Sequence, residues 1–251
     1  MCIRDRATFM PDMEAFEAAV TPKTKAVIVN NPNNPSGVVY SEATIKKIAS
    51  IMDKKQKEYG TEIYLIADEP YRELVYDGVT VPFLTKYYDN TIVGYSFSKS
   101  LSLPGERIGY LVIPDEVVDA GMLQSAAGVA TRILGFVNAP TLMQRAVARC
   151  LDAEVNVEAY DKNRRALYDG LTKLGFECIK PQGAFYLWVK APDKDEKKLV
   201  ETAKKYNILI VPGSSFACAG YVRIAYCVSY DTIMNALPKF ALVAEELGIE
   251  G

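Results

Sequence analysis

The stretch TIVGYSFSKSLSLPGERIGYLVIP, residues 91–114, decides how the rest of the chain is read. It opens with an apolar run, TIVGYSFS, that has the texture of a buried strand. The run ends at Lys99, which Ser96, Ser98 and Ser100 surround, and Arg107 follows a few residues on. A further apolar run, RIGYLVIP, comes next. A solvated lysine needs no such setting. A lysine that forms a covalent bond beside a phosphate does.

Upstream, the same texture repeats. KAVIVNN (25–31) and EIYLIADEPY (62–71) read as buried strands, the second ending at Asp68. Between them, Ile45, Ile48, Ala49 and Met52 mark one face of a helix over residues 42–58, which Tyr59 and Gly60 close. PDMEAFEAAV (11–20) is helical, with Pro11 at a plausible first turn. Apolar strands separated by amphipathic helices predict an α/β fold, a mostly parallel sheet with helices on both faces. Ligands of such sheets bind beyond the carboxyl ends of the strands. The turn cluster NPNNPSG (31–37), Asp68 and Lys99 all lie at such ends, so one shared site is expected there.

Beyond Pro114 the pattern is helical over roughly 115–174. After Gly175 it changes to short strands, GAFYLWVK, ILIVPG and YVRIAYC, with helices between. This reads as a smaller α+β domain. The expected division is residues 7–155 for part of a larger domain and 156–251 for the smaller one. The opening MCIRDR, residues 1–6, does not merge with the pattern from Ala7 onward and is set aside as an assembly scar.

The chain has 251 residues and a net charge of -2, with no Lys/Arg block, so nucleic acid is not an expected partner. No apolar run approaches the roughly 20 residues of a membrane span, and no signal-peptide pattern is visible. The five cysteines, Cys2, Cys150, Cys178, Cys218 and Cys227, are odd in number and form no C-x-x-C pair. Reduced thiols in a cytoplasmic protein, without a bound metal, are the simplest reading. Histidine is absent. That removes the Ser-His-Asp triad, the Cys-His pair and histidine-based zinc sites. An enzyme of this composition moves protons with Lys, Tyr, Asp or Glu, or leaves the hard step to a cofactor.

GYSFSKS is close to a phosphate loop but lacks its second glycine, and no G-x-G-x-x-G occurs. A Schiff-base lysine fits better. An amine is nucleophilic only when neutral, and a strand end beneath a bound aromatic aldehyde supplies the desolvation that favours that state. Ser96, Ser98 and Arg107 could hold a phosphate beside Lys99. Pyridoxal 5'-phosphate combines an aldehyde, a phosphate and a ring nitrogen that takes an acidic partner. Asp68 offers that acid, and Tyr71 a donor to the ring's phenolic oxygen.

With NPNNPSG, ADEPY, SFSKSLSLPGERIGY and YVRIAYC in this order, the sequence resembles the fold-type I, class I/II aminotransferases from about Ala7 onward. The resemblance implies that Lys99 forms the internal aldimine and then shuttles the proton of the 1,3 shift. It implies that Asp68 pairs with the pyridine nitrogen. Tyr71 and Asn34 would bind the ring oxygen, and Asn34 would also lie near the substrate carboxylate. Ser96, Ser98 and Arg107 would be phosphate ligands, and Arg223 in YVRIAYC would grip the substrate α-carboxylate. Arg132 is a weaker candidate for contact with substrate across a dimer, and Phe185 for contact from the small domain, with core packing the favoured reading of the latter. The implied reaction passes an amino group from an amino acid to a 2-oxo acid by ping-pong half-reactions in a homodimer. The family's N-terminal section, with its glycine-rich phosphate-binding helix start and a ring-stacking aromatic, has no counterpart before residue 7. The chain is therefore expected to be an impaired fragment. Two alternatives remain open: a carbon–sulfur β-lyase using the same cofactor, and a non-catalytic regulatory domain of the same fold.

Overall fold

The computed structural model describes Asp5 and residues 7–249, so the remainder of the expected scar at residues 1–6 lies outside the described residues. The elements run in order as α1 (Met13–Ala19), β1 (Ala26–Asn30), α2 (Glu42–Tyr59), β2 (Tyr64–Asp68), β3 (Thr91–Ser96), α3 (Phe97–Ser100) and β4 (Gly109–Val112). Then come α4 (Ala120–Ile133), α5 (Thr141–Ala148), α6 (Val157–Lys173), β5 (Cys178–Ile179) and β6 (Tyr186–Lys190). Last are α7 (Glu196–Lys205), β7 (Val211–Pro212), β8 (Tyr221–Ala225) and α8 (Tyr230–Leu247). None of the described helices is long and apolar enough to cross a membrane.

Two sheets result. The first has the order β1-β2-β3-β4, its first three strands parallel and β4 antiparallel to β3. The second, β5-β6-β8-β7, is antiparallel. The apolar stripe of α2 decides which face of the first sheet it covers. Ile45, Ile48, Ala49 and Met52 are buried in one cluster with Val29, Leu65 and Ala67. The helix is bounded as its sequence suggests. Ser41 caps its start by accepting the N–H of Thr44, and Gly60 ends it in the left-handed conformation. On the opposite face Ile28 is 70% exposed. Around the second sheet, Leu167 and Leu171 of α6, Leu199 and Ala203 of α7, and Phe240 and Val243 of α8 bury Leu187, Val189 and Val222.

The joint between the sheets positions the site. Gly37 of the NPNNPSG loop has φ +71, and a Cβ there would sit 2.7 Å from Pro181 Cβ, so the left-handed turn and the close approach both require glycine. Its carbonyl accepts the N–H groups of Gln182 and Gly183, at 2.8 and 2.9 Å. Ala184 N–H in turn reaches Leu74 O at 2.9 Å. The segment leading into β6 is thereby laced to the loops that follow β1 and β2. Arg164 of α6, itself buried, braces the same joint. It binds Asp161, the carbonyl of Pro181 at 2.9 Å, and Asp77 at 3.0 Å.

Candidate active site

Asn30, Asp68 and Gly94 occupy one register row across β1, β2 and β3. Side chains alternate along a strand, so Asn30 and Asp68 lie on the face opposite α2. Asn30 Nδ2 donates to Asp68 Oδ2 at 2.9 Å and to the Asp68 carbonyl at 3.1 Å. Its Oδ1 accepts the N–H of Asn34 at 2.7 Å. One amide therefore fixes both the carboxylate and the loop. Asp68 opens onto solvent, yet the strands around it withhold part of its hydration. That desolvation pushes its carboxyl above the usual range, and the Asn30 bond opposes it.

Sequence patterning carried the third strand through Ser98 to Lys99. The structure ends β3 at Ser96 and turns the chain into α3, a single helical turn. The reason is local. Ser96 Oγ accepts the N–H of Ser98 at 3.1 Å and donates to Ser98 Oγ at 2.7 Å, which caps a helix rather than extending a strand. The turn carries Lys99 toward the second sheet. Its Nζ lies 5.8 Å from the Tyr71 ring centroid and 5.3 Å from that of Phe185.

Tyr71 is buried, its hydroxyl 3.2 Å from that of Tyr186 and its ring edge-on to Phe185 and Tyr186. Burial pushes its phenol well above the ordinary tyrosine range. Arg223 stands on β8 opposite Trp188. Its guanidinium carbon lies 4.2 Å from the Tyr186 ring centroid and 4.6 Å from that of Phe216. Nη1 donates to Asn34 Oδ1 at 2.9 Å, whereas the buried Nε has no partner. Asn34 Oδ1 is thus engaged, and its amide nitrogen is the group left to donate elsewhere. Residues from both sheets converge: Asp68, Tyr71, Lys99 and Asn34 from the first region, Arg223 and Phe185 from the second.

Two other expected residues, Arg107 and Arg132, are exposed. Arg107 Nη1 donates to Pro104 O at 2.7 Å. Among the described residues no hydrogen bond joins it to Ser96 or Ser98. Arg132 lies in the last turn of α4. Phe185 packs among Tyr71, Tyr160 and Tyr186 while also flanking Lys99. No group of His, Cys, Asp or Glu among the described residues could hold a metal ion.

Sequence reasoning passed over two residues. Asn30 closes an apolar run and looked like its terminus. The available signal was that parallel strands ending together put Asn30 beside Asp68. Tyr186 lies within the GAFYLWVK run, and nothing local marks it.

Comparison with known proteins identifies the family. The aspartate/prephenate aminotransferase of Thermus thermophilus is 32% identical over 94% of this chain and 60% of its own length. The aromatic-amino-acid aminotransferase 2 of Thermococcus litoralis is 31% identical over 95% of this chain and 62% of its own. The chain therefore spans about three fifths of the length of these relatives. Among solved structures, an aminotransferase from Eubacterium rectale superposes with a TM-score of 0.94 at 50% identity, over 98% of this chain and 62% of that one. The family described as aminotransferase class I and II matches residues 2–240, and the chain belongs to it.

Proposed function

We propose that the protein, at full length, transfers an amino group from an amino acid to a 2-oxo acid with pyridoxal 5'-phosphate, in two ping-pong half-reactions. The observation that carries this reading is the meeting of Arg223 and Asn34 at 2.9 Å across the two sheets, with Asn30 tying Asn34 to Asp68. The donor set fits the cofactor. An amine faces aromatic rings, a carboxylate opens to solvent, a phenol stands nearby, and two hydroxyls lie at the turn that bears the amine. The buried, unpartnered Nε of Arg223 is a donor awaiting an anion.

When bound, the cofactor supplies an electron sink that stabilises negative charge at the substrate Cα. Lys99 Nζ would hold it covalently and later carry the proton between Cα and the cofactor's exocyclic carbon. Asp68, oriented by Asn30, would keep the ring nitrogen protonated. Tyr71 and the Asn34 amide nitrogen would donate to the ring oxygen, and Ser96 and Ser98 would bind the phosphate. Arg107, whose Nη1 is held by the Pro104 carbonyl, would add its remaining donors to the same phosphate. Arg223 would take the substrate carboxylate with the donors that Asn34 leaves unused, a geometry suited to a planar anion.

Several further elements belong to the same proposal: a homodimer at full length, a cytoplasmic setting, a division into two domains near residue 155, and weak activity of the 251-residue chain alone. The relatives' names include aspartate, prephenate and aromatic amino acids, so the substrate side chain is to be read from a panel of amino donors on the full-length protein. Borohydride reduction of the loaded protein followed by peptide mapping is expected to place the label on Lys99. Covalent retention of the cofactor in Lys99→Ala would sink the assignment. Pyruvate and ammonia from a cysteine conjugate without an acceptor would replace transfer by elimination.

A further inference from the structure

We propose that Tyr186 is a positioning residue that orients the Tyr71 hydroxyl toward a bound ligand and ties that orientation to the state of Arg223. The inference rests on the cofactor chemistry proposed above. Tyr186 begins β6, is buried at 8% exposure, and belongs to the second sheet, whereas Tyr71 follows β2 of the first. Their hydroxyls are 3.2 Å apart. Only one proton can lie between two such oxygens. If Tyr71 donates it, Tyr71 has none left for a ligand. If Tyr186 donates it, the Tyr71 proton is free to point at a cofactor's ring oxygen.

Arg223 sets the direction. Tyr186 and Arg223 are diagonal neighbours on β6 and β8, since Trp188 stands opposite Arg223 in the register. The guanidinium lies 4.2 Å from the Tyr186 ring centroid. A cation over that ring makes the phenol oxygen a poorer acceptor and its O–H a better donor, which favours Tyr186 as the donor of the pair. Phe185 and Tyr186 also hold the Tyr71 ring edge-on, so its oxygen cannot swing away. Desolvation, the largest cause of the raised Tyr71 phenol, keeps that hydroxyl uncharged and so able to donate. A carboxylate bound to Arg223 would neutralise part of the biasing charge. Arrival of substrate at one end of the site would then alter the hydrogen bond at the other.

The test is Tyr186→Phe in the full-length protein loaded with pyridoxal 5'-phosphate. Phenylalanine keeps the ring beneath Arg223 and removes only the hydroxyl. The pH midpoint of the bound cofactor's absorbance is expected to rise by roughly half a unit to one unit, the scale of one hydrogen bond. Maleate, as a probe of Arg223, should bind within about two-fold of the unaltered protein. In a Tyr71→Phe background the same change should add no further shift, because the partner is gone. A midpoint unchanged in Tyr186→Phe, or shifts that simply add in the double variant, would overturn the proposal. Failure of the functional reading looks different. The unaltered protein would then lose cofactor absorbance on desalting, and the role of Tyr186 would fall with it.

Discussion

Asn30 shows how much one amide can decide. It gives Asp68 a hydrogen bond at 2.9 Å and takes the Asn34 N–H at 2.7 Å, so it holds the acid and the loop in one frame. Asn30→Ala removes the one interaction that lowers the Asp68 carboxyl, leaving the desolvation that raises it. Cofactor affinity should fall by roughly five-fold, about 1 kcal/mol for one hydrogen bond to a partly solvated carboxylate, as read by fluorescence titration. Asp68 itself is expected to trade stability for function. Its carboxyl is raised in the fold, so the stability it contributes is present below the unfolded value near 3.8 and is lost as pH rises through the higher folded value. At neutral pH the ionised group is a small burden. Asp68→Asn should therefore match or exceed the parent's stability at pH 7, by no more than about 0.5 kcal/mol given its exposure to solvent. The advantage should vanish in acid, in urea titrations of cofactor-free protein. A clear loss of stability at pH 7 would contradict this.

At the scale of elements, periodicity and caps were legible where a local rule acts alone. The stripe of Ile45, Ile48, Ala49 and Met52 and the Gly60 stop define α2 from the sequence, and the structure bounds that helix at Glu42–Tyr59. β1 and β2 were legible as apolar runs, the first leading into the NPNNPSG turn and the second ending at Asp68. Two features were not. The β3–α3 switch depends on Ser96 capping a helical turn, which an apolar pattern cannot distinguish from two more strand residues. The Tyr71–Tyr186 pair joins residues 115 positions apart, and only the folded joint brings them together. Glu196 belongs with these. It opens α7 as an ordinary acidic first-turn residue, yet it is buried and accepts the N–H groups of Ser214 at 3.0 Å and Gly220 at 2.5 Å. Burial raises its carboxyl, but the bonds from Ser214, Gly220 and Tyr221 together outweigh it, and the net shift is downward. A depressed carboxyl contributes stability above its unfolded value, near 4.5, which is lost as pH falls through the lower folded value. Glu196→Gln should cost about 1–2 kcal/mol at pH 7, with the gap closing as acid protonates the parent. Denaturant melts at pH 7 and pH 3.5 would test it, and an equal deficit at both would argue against the charge.

Over the whole molecule, burial is uneven in a way that local rules do not require. The joint and both cores are closed, while β4, α4 and α5 present large apolar side chains to solvent. Tyr110, Leu111, Met122, Leu134, Phe136 and Leu151 are exposed, with Ile133 at 79% and Leu142 at 76%. Scattered apolar residues on a surface are ordinary, but this many in one span of the chain, on successive elements, are what a surface that meets other protein is expected to show. The relatives are longer by a margin that could supply such a covering, since this chain matches only 60% of the Thermus enzyme. A second copy could supply it as well. Either way, the isolated 251-residue chain should bind 8-anilinonaphthalene-1-sulfonate with a strong rise in fluorescence and should elute from a sizing column larger than a 27.8 kDa monomer. Replacing Ile133 and Leu142 with lysine should suppress both signals, because each places a charge on the exposed span without touching either core. The full-length protein should show little dye binding before any substitution. A monomeric, dye-silent 251-residue chain would instead mean that these side chains cover one another in solution, and that the surface needs no partner to be stable.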